Sequence, residues 1–146
     1  MNICHAIKNL AEKYPNVDFV YPLHLNPNVR KPVLEILGES AENVFLIEPL
    51  DYLPFVYMMQ HSTLILTDSG GVQKEAYFHR TPCITMRQET EWTETVEAGW
   101  NSLVGTDTDK ILQAVAHTAT PDTEISEYGT GHAAQMIIDI LCQNEY

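Results

Sequence analysis

Apolar β-branched runs alternating with helix-length amphipathic segments, with no hairpin signal between the runs and no internal repeat, predict an α/β domain. The expected architecture is Rossmann-like: a doubly wound parallel sheet covered on both faces by helices. The 146 residues suit one domain, 1–146, long enough to bury a real core. With 45% hydrophobic and 19% charged residues, the composition is that of a globular chain and not of a disordered one.

Ile3, Ala6, Ile7, Leu10 and Ala11 fall on helical spacing from the very start, so the chain is expected to begin inside an element. Tyr14-Pro15-Asn16 is a turn signal, and Val17 to Tyr21 has the β-branched and aromatic content of a strand. Pro22 to Asn28 reads as a Pro/Asn loop carrying His24, followed by a short helix through Val33, Leu34 and Leu37 that Gly38 stops. Val44 to Ile47 is the second strand. Asp51 is placed to cap a helix through Phe55, Met58 and Met59, and Thr63 to Thr67 is expected to be a third, fully buried strand. Asp68-Ser69-Gly70-Gly71 should then turn the chain into a helix from Val72 to about His79. Pro82 to Met86 is the fourth strand, its proline at the tolerated first position. After a polar loop from Arg87 to Trp92, a helix from Thr93 to Ala98 ends at Gly99, and Ser102 to Val104 is a short fifth strand. Asp107 to Asp109 open a helix through Ile111 to Thr118, residues 118–131 read as a loop, and a last helix spans His132 to Cys142.

Eight Lys and Arg stand against twenty Asp and Glu, a formal charge of -12 that repels phosphate backbones and anionic lipid. Nucleic acid and membrane surfaces are therefore poor partners. A small anionic ligand would have to be held by local backbone dipoles and a few placed cations. Cys4, Cys83 and Cys142 are too far apart in sequence for a redox or metal motif and odd in number, which predicts reduced thiols in a cytoplasmic protein without metal. No apolar run has transmembrane length, and the N-terminus lacks a secretory pattern.

In doubly wound sheets ligands bind beyond the carboxyl ends of the strands, so the loops there carry the functional signal. In Thr67-Asp68-Ser69-Gly70-Gly71-Val72-Gln73-Lys74-Glu75 a strand feeds a Ser-Gly-Gly turn that opens a helix. Glycines allow close approach, and free N–H groups at a helix start attract a phosphate, each such contact being worth ~0.3–2 kcal/mol. Glu75, one turn further on, has the two acceptors that a ribose diol needs. The same residues also fit a plain tight turn followed by a solvated acid. His24 can meet an anion or move a proton, or be a surface loop residue. Phe55 can stack on a base or belong to the core. Arg87 can reach a diphosphate or form a surface salt bridge to Glu89 or Glu91. No catalytic triad, metal spacing or isolated carboxylate pair stands out.

Taken together, the loops resemble the non-hydrolysing UDP-N-acetylglucosamine 2-epimerases and their relatives acting on UDP-diacetamido sugar acids. The resemblance rests on Tyr21-Pro22-Leu23-His24-Leu25-Asn26-Pro27-Asn28-Val29, Glu48 to Phe55, Leu66 to Glu75, Val96-Glu97-Ala98-Gly99, Val104-Gly105-Thr106-Asp107 and Tyr128-Gly129-Thr130-Gly131-His132-Ala133. It implies a glycosyltransferase-B-like architecture of two Rossmann-like halves, of which this chain looks like the C-terminal, UDP-holding one, with the N-terminal catalytic domain absent. It also implies a strand just ahead of the first helix, central in the sheet. By position, Phe55 matches the uracil-stacking residue, Ser69, Gly70 and Gly71 the phosphate turn, and Glu75 the ribose carboxylate. His24 matches a histidine near the diphosphate and the effector site, and Arg87 is expected to join the same UDP site. The implied reaction inverts C2 by eliminating UDP and adding it back, with no cofactor and with the principal acid/base carboxylates in the other domain, so no catalytic residue is assigned here. The implied partner is UDP-N-acetylglucosamine or a related UDP-diacetamido sugar. Trp92, where the family often has arginine, resembles the diacetamido-uronic-acid branch. Two other readings stand beside this one: a non-catalytic binding or oligomerisation module, and half of a UDP-sugar glycosyltransferase.

Overall fold

The computed structural model describes residues 2–38, 42–123 and 128–143. In chain order these form α1 (Asn2–Lys13), β1 (Phe19–Pro22), α2 (Pro27–Leu37), β2 (Val44–Ile47), α3 (Tyr52–His61), β3 (Ile65–Thr67), α4 (Gly70–Phe78), β4 (Cys83–Thr85), α5 (Thr93–Glu97), β5 (Asn101–Leu103), α6 (Thr108–His117) and α7 (Ala133–Gln143). The α/β class and the all-parallel pairing are as the sequence predicts. Hydrogen bonding divides the strands into two groups, β1-β2 and β3-β4-β5. Phe19 pairs with Val44 in the first, and Ile65 with Cys83 and Cys83 with Asn101 in the second.

Helix α1 serves both groups. Cys4 and Ile7 pack with Leu23, Val33 and Leu37, whereas Ala6 and Leu10, a fraction of a turn away, pack with Met86 and Ile111. One amphipathic stripe is thus divided between two cores, which places the β1-β2 and β3-β4-β5 groups under a common helix. Asn43 adds a polar clamp, its Nδ2 donating to the carbonyls of Ala11, Tyr14 and Val17. Strand β4 is buried along its whole length because it is the middle strand, with Met86 just beyond it facing α1 and α6, and Thr85 facing Asn101.

Three local expectations need correction. Helix α2 starts earlier than the sequence suggests: Asn26 Oδ1 accepts the Asn28 N–H and Pro27 occupies the first turn, where its missing N–H costs nothing. The Pro/Asn loop is therefore shorter than 22–28, and Pro32 is accommodated inside the helix. Strand β3 is not fully buried: Ile65 and Leu66 are half-buried and Thr67 alone is buried, since β3 is the outer strand of its group. Gly70 and Gly71 do not form a turn. They are the first residues of α4, and neither has positive φ, unlike Gly99, Gly105, Gly129 and Gly131. The expected loop at 118–131 lies partly outside the described residues, as does Met1.

Candidate functional site

Parallel pairing puts the carboxyl ends of the strands in each group along one edge. His24 follows β1, Phe55 lies in the first turns of α3 after β2, Ser69 to Gly71 follow β3, and Arg87 follows β4. The Tyr21 hydroxyl is pushed above its ordinary pKa first by burial, then by the charges of Cys4 and Asp68. The end of β1 therefore feels the acid that opens the β3–α4 connection.

At that connection Thr67 Oγ1 accepts the Ser69 N–H at 3.0 Å. Ser69 is the N-cap of α4, with extended backbone, yet its side chain makes no capping bond. A hydroxyl and the first-turn N–H groups, which have no acceptor within the helix, stand together there. A carboxylate lies close by: a Cβ added to Gly70 would run into Glu91 Oε1, and Arg87 Nη1 lies 3.6 Å from the same point. Arg87 Nη1 also donates to Glu91 Oε2 at 3.3 Å. The structure thus brings Ser69, Gly70 and Arg87 together, and the surface salt bridge open to Arg87 forms with Glu91. Gly71 differs from its neighbour, because nothing lies within 4 Å of the Cβ it lacks. Gly70 is glycine for a close approach; the space beside Gly71 is open.

Behind these loops runs a buried polar network whose members sequence reasoning did not single out. Gln73, fully buried, donates through Nε2 to the Ser69 carbonyl and accepts at Oε1 from Thr90 Oγ1 at 2.6 Å and Asn101 Nδ2 at 3.1 Å. Asn101 Oδ1 accepts from Thr85 Oγ1 at 2.7 Å, its Nδ2 also donates to Thr95 Oγ1, and the Thr95 hydroxyl bonds the Trp92 carbonyl. The N-cap of α4 and the 87–92 loop are thereby fixed to one another through β4, β5 and α5. The available signal was compositional and local to one residue: Thr85 is a polar residue within an otherwise apolar strand run, and buried polar groups need partners. Above this network the Lys74 ammonium lies 4.7 Å from the ring centres of both Trp92 and Tyr128. That contact holds the 128–132 segment against α4.

The other expected site residues occupy separate elements. His24 is exposed, and its Nδ1 accepts the Asn26 N–H at 3.0 Å, which places the proton of a neutral ring on Nε2. Phe55 is half-buried on α3, and Glu75 is half-buried in the second turn of α4. Arg30 forms a two-point pair with Glu48 that ties α2 to the loop leading into α3; it holds the Glu48 carboxyl below its ordinary pKa. Among the described residues no group of three or more His, Cys, Asp or Glu is arranged to hold a metal ion, and no helix is long and apolar enough to cross a membrane.

The family model for UDP-N-acetylglucosamine 2-epimerase matches residues 1–142. The chain belongs to this family. Among similar members, the UDP-N-acetylglucosamine 2-epimerase of Yersinia pestis is 47% identical over 146 residues, covering 95% of this chain and 39% of the relative. The crystal structure of the Neisseria meningitidis epimerase bound to UDP-GlcNAc superposes with a TM-score of 0.87 at 44% identity, covering 98% of this chain and 40% of that one. The Methanocaldococcus jannaschii epimerase in complex with UDP-GlcNAc and UDP gives 0.77 at 34% identity, again covering 98% and 40%. The chain therefore spans about two fifths of the length of the family members it matches. Their glycosyltransferase-B-like fold is the one that the sequence motifs imply.

Proposed function

We propose that this chain is the UDP-holding half of a UDP-N-acetylglucosamine 2-epimerase-like enzyme. The observation that carries the reading is the N-terminus of α4, where Ser69 is the N-cap and the Glu91 carboxylate lies against Gly70 and pairs with Arg87. A diphosphate fits that chemistry: first-turn N–H groups and the Ser69 hydroxyl donate to one phosphate, and the Arg87 guanidinium meets the other. The half-buried Phe55 would stack on uracil, Glu75 accepts from the ribose hydroxyls, and His24 donates through Nε2 near the diphosphate. The neighbours that carry UDP or UDP-GlcNAc, with folds closely superposing on this one, support the assignment.

In the proposed reaction this half holds UDP while the C2 proton is removed and the bond from C1 to the UDP oxygen breaks, giving a glycal-like intermediate. UDP then adds back with C2 inverted. The groups that move the C2 proton belong, in this reading, to the other half of a two-domain enzyme, so the chain by itself binds and does not turn over. The split of the strands into β1-β2 and β3-β4-β5 supports the same reading, since a further parallel strand between β1 and β3 would join them into one sheet. The work of this half is to hold the departing UDP close enough for re-addition.

Stacking, helix-dipole and ribose contacts sum to ~3–5 kcal/mol, which corresponds to a Kd in the millimolar range. Titration of UDP followed by NMR should move the amides of Ser69 to Glu75 with that affinity. A submicromolar Kd, or an unperturbed α4, overturns the reading. A second reading, self-association, is favoured by α7, where Met136, Ile137, Ile138, Ile140 and Leu141 are all more than half exposed. Light scattering separates it, because a clean monomer at high concentration removes it.

A further inference from the structure

We propose that Glu91 is a built-in occupant of the diphosphate pocket, a carboxylate that holds Arg87 and fills the space beside Gly70 until a phosphate displaces it. The inference rests on the reading of the α4 N-terminus as a UDP site. Three observations on separate elements carry it. Glu91 Oε1 stands where a Cβ of Gly70 would be, so the acid lies directly against the helix backbone at its positive end. Glu91 Oε2 accepts from Arg87, the cation that a diphosphate would use. The rest of the loop is fixed independently of Glu91: Thr90 Oγ1 donates to the buried Gln73 and accepts the Trp92 N–H at 3.1 Å.

That last point decides how displacement happens. Because Thr90 and the Trp92 backbone are anchored to the network behind them, the 90–92 segment need not move for the pocket to open. Rotation of the half-exposed Glu91 side chain about its own bonds suffices, after which Arg87 is free to turn to the ligand. The arrangement keeps Arg87 close to Gly70 in the absence of ligand, and it sets a threshold for anions. A ligand with one weak negative charge gains little over Glu91, whereas a diphosphate offers more acceptors and more charge to the same donors. The charged residues of α4 and the 87–92 loop besides Glu91 are Lys74, Glu75, Arg87 and Glu89, with Asp68 just ahead of α4. Of these, Arg87 is the one paired with Glu91.

The test compares wild type with Glu91→Gln by titration of UDP and of uridine, with the ligand-free amide spectra recorded first. Removing one partner of an exposed ion pair changes an equilibrium by about two- to fivefold. UDP binding should tighten by about that factor in Glu91→Gln, uridine binding should stay as in wild type, and the ligand-free Gly70 amide should shift. A Gly70 amide unmoved by the substitution, or UDP binding equal to or weaker than wild type, overturns the inference while leaving the UDP site intact. If neither protein responds to UDP at Ser69 to Glu75, the site reading falls and this inference falls with it.

Discussion

The β3-β4-β5 half of the molecule adds a buried network of side-chain hydrogen bonds to its apolar core, whereas the β1-β2 half is held by apolar packing, the Asn43 clamp and an exposed ion pair. Gln73, Thr85, Thr90, Thr95 and Asn101 interlock behind the first group; Cys4, Ile7, Leu23, Val33 and Leu37 fill the second, with Arg30–Glu48 on its surface. Apolar packing is non-directional and tolerates small shifts, while each buried hydrogen bond fixes a distance and an angle. In the proposed reading, the group whose loops converge on a phosphate is the one with directional bonds in its interior. The other group presents Phe55 and His24, to which the same reading gives stacking and long-range contacts that accept looser placement.

Removing Gln73 should break this contrast most severely. Gln73→Leu fills the space but takes its acceptor from the Thr90 hydroxyl and leaves Asn101 Nδ2 with Thr95 alone, and losing a partner of a buried polar group costs ~1–3 kcal/mol. Chemical denaturation should show a loss of ~1–3 kcal/mol, against ~0.5–1.5 kcal/mol for the apolar trim Ile7→Val on the other side.

Next in size is the difference between adjacent glycines. Gly70→Ala drives a methyl into Glu91 and the anion pocket, so UDP affinity should fall by about tenfold or more, as expected for a displacement costing ~1.4 kcal/mol. Gly71→Ala meets open space and replaces a poor helix former, so thermal unfolding should show stability unchanged or raised by up to ~1 kcal/mol. A fall in UDP affinity in Gly71→Ala equal to that in Gly70→Ala would dissolve the distinction between them.

The last effect is confined to alkaline pH. Burial pushes the Cys83 thiol from 9.0 up to about 12, with a hydrogen bond to Thr85 pulling the other way. The folded state thus keeps a proton that the unfolded chain releases. Stability from this group is complete below pH 9.0 and is lost between 9.0 and about 12, by at most about tenfold in the folding constant per pH unit. Cys83→Ala should flatten that alkaline slope in pH-dependent denaturation, and Cys142→Ala, at an exposed position, should not.

Much of the fold was legible because periodicity and caps act locally. The stripe of α1, Asp107 as a cap whose side chain accepts the Lys110 N–H, and Gly99 at a positive φ after α5 all follow from residues near one another in sequence. The Ser-Gly-Gly motif was visible too, but its conformation was not. Glycine permits both a tight turn and a helix start, and the side chain that Gly70 meets, Glu91, lies twenty-one positions away. Gln73 escaped notice for a related reason: a glutamine on a helix is unremarkable until Thr90 and Asn101 are brought to it by separate strands and loops. The partition of the strands into two groups was likewise beyond local reading, since edges are defined by partners.

The division of α1 between two cores has a dynamic consequence. A helix that seals Leu23 and Val33 with one set of residues and Met86 and Ile111 with the next cannot detach from either without exposing both. The amides of β1 and of β4 should therefore exchange with deuterium through one common opening event, at a single free energy, although no ladder bond joins them. Helix α1 makes one cooperative unit of two sheets.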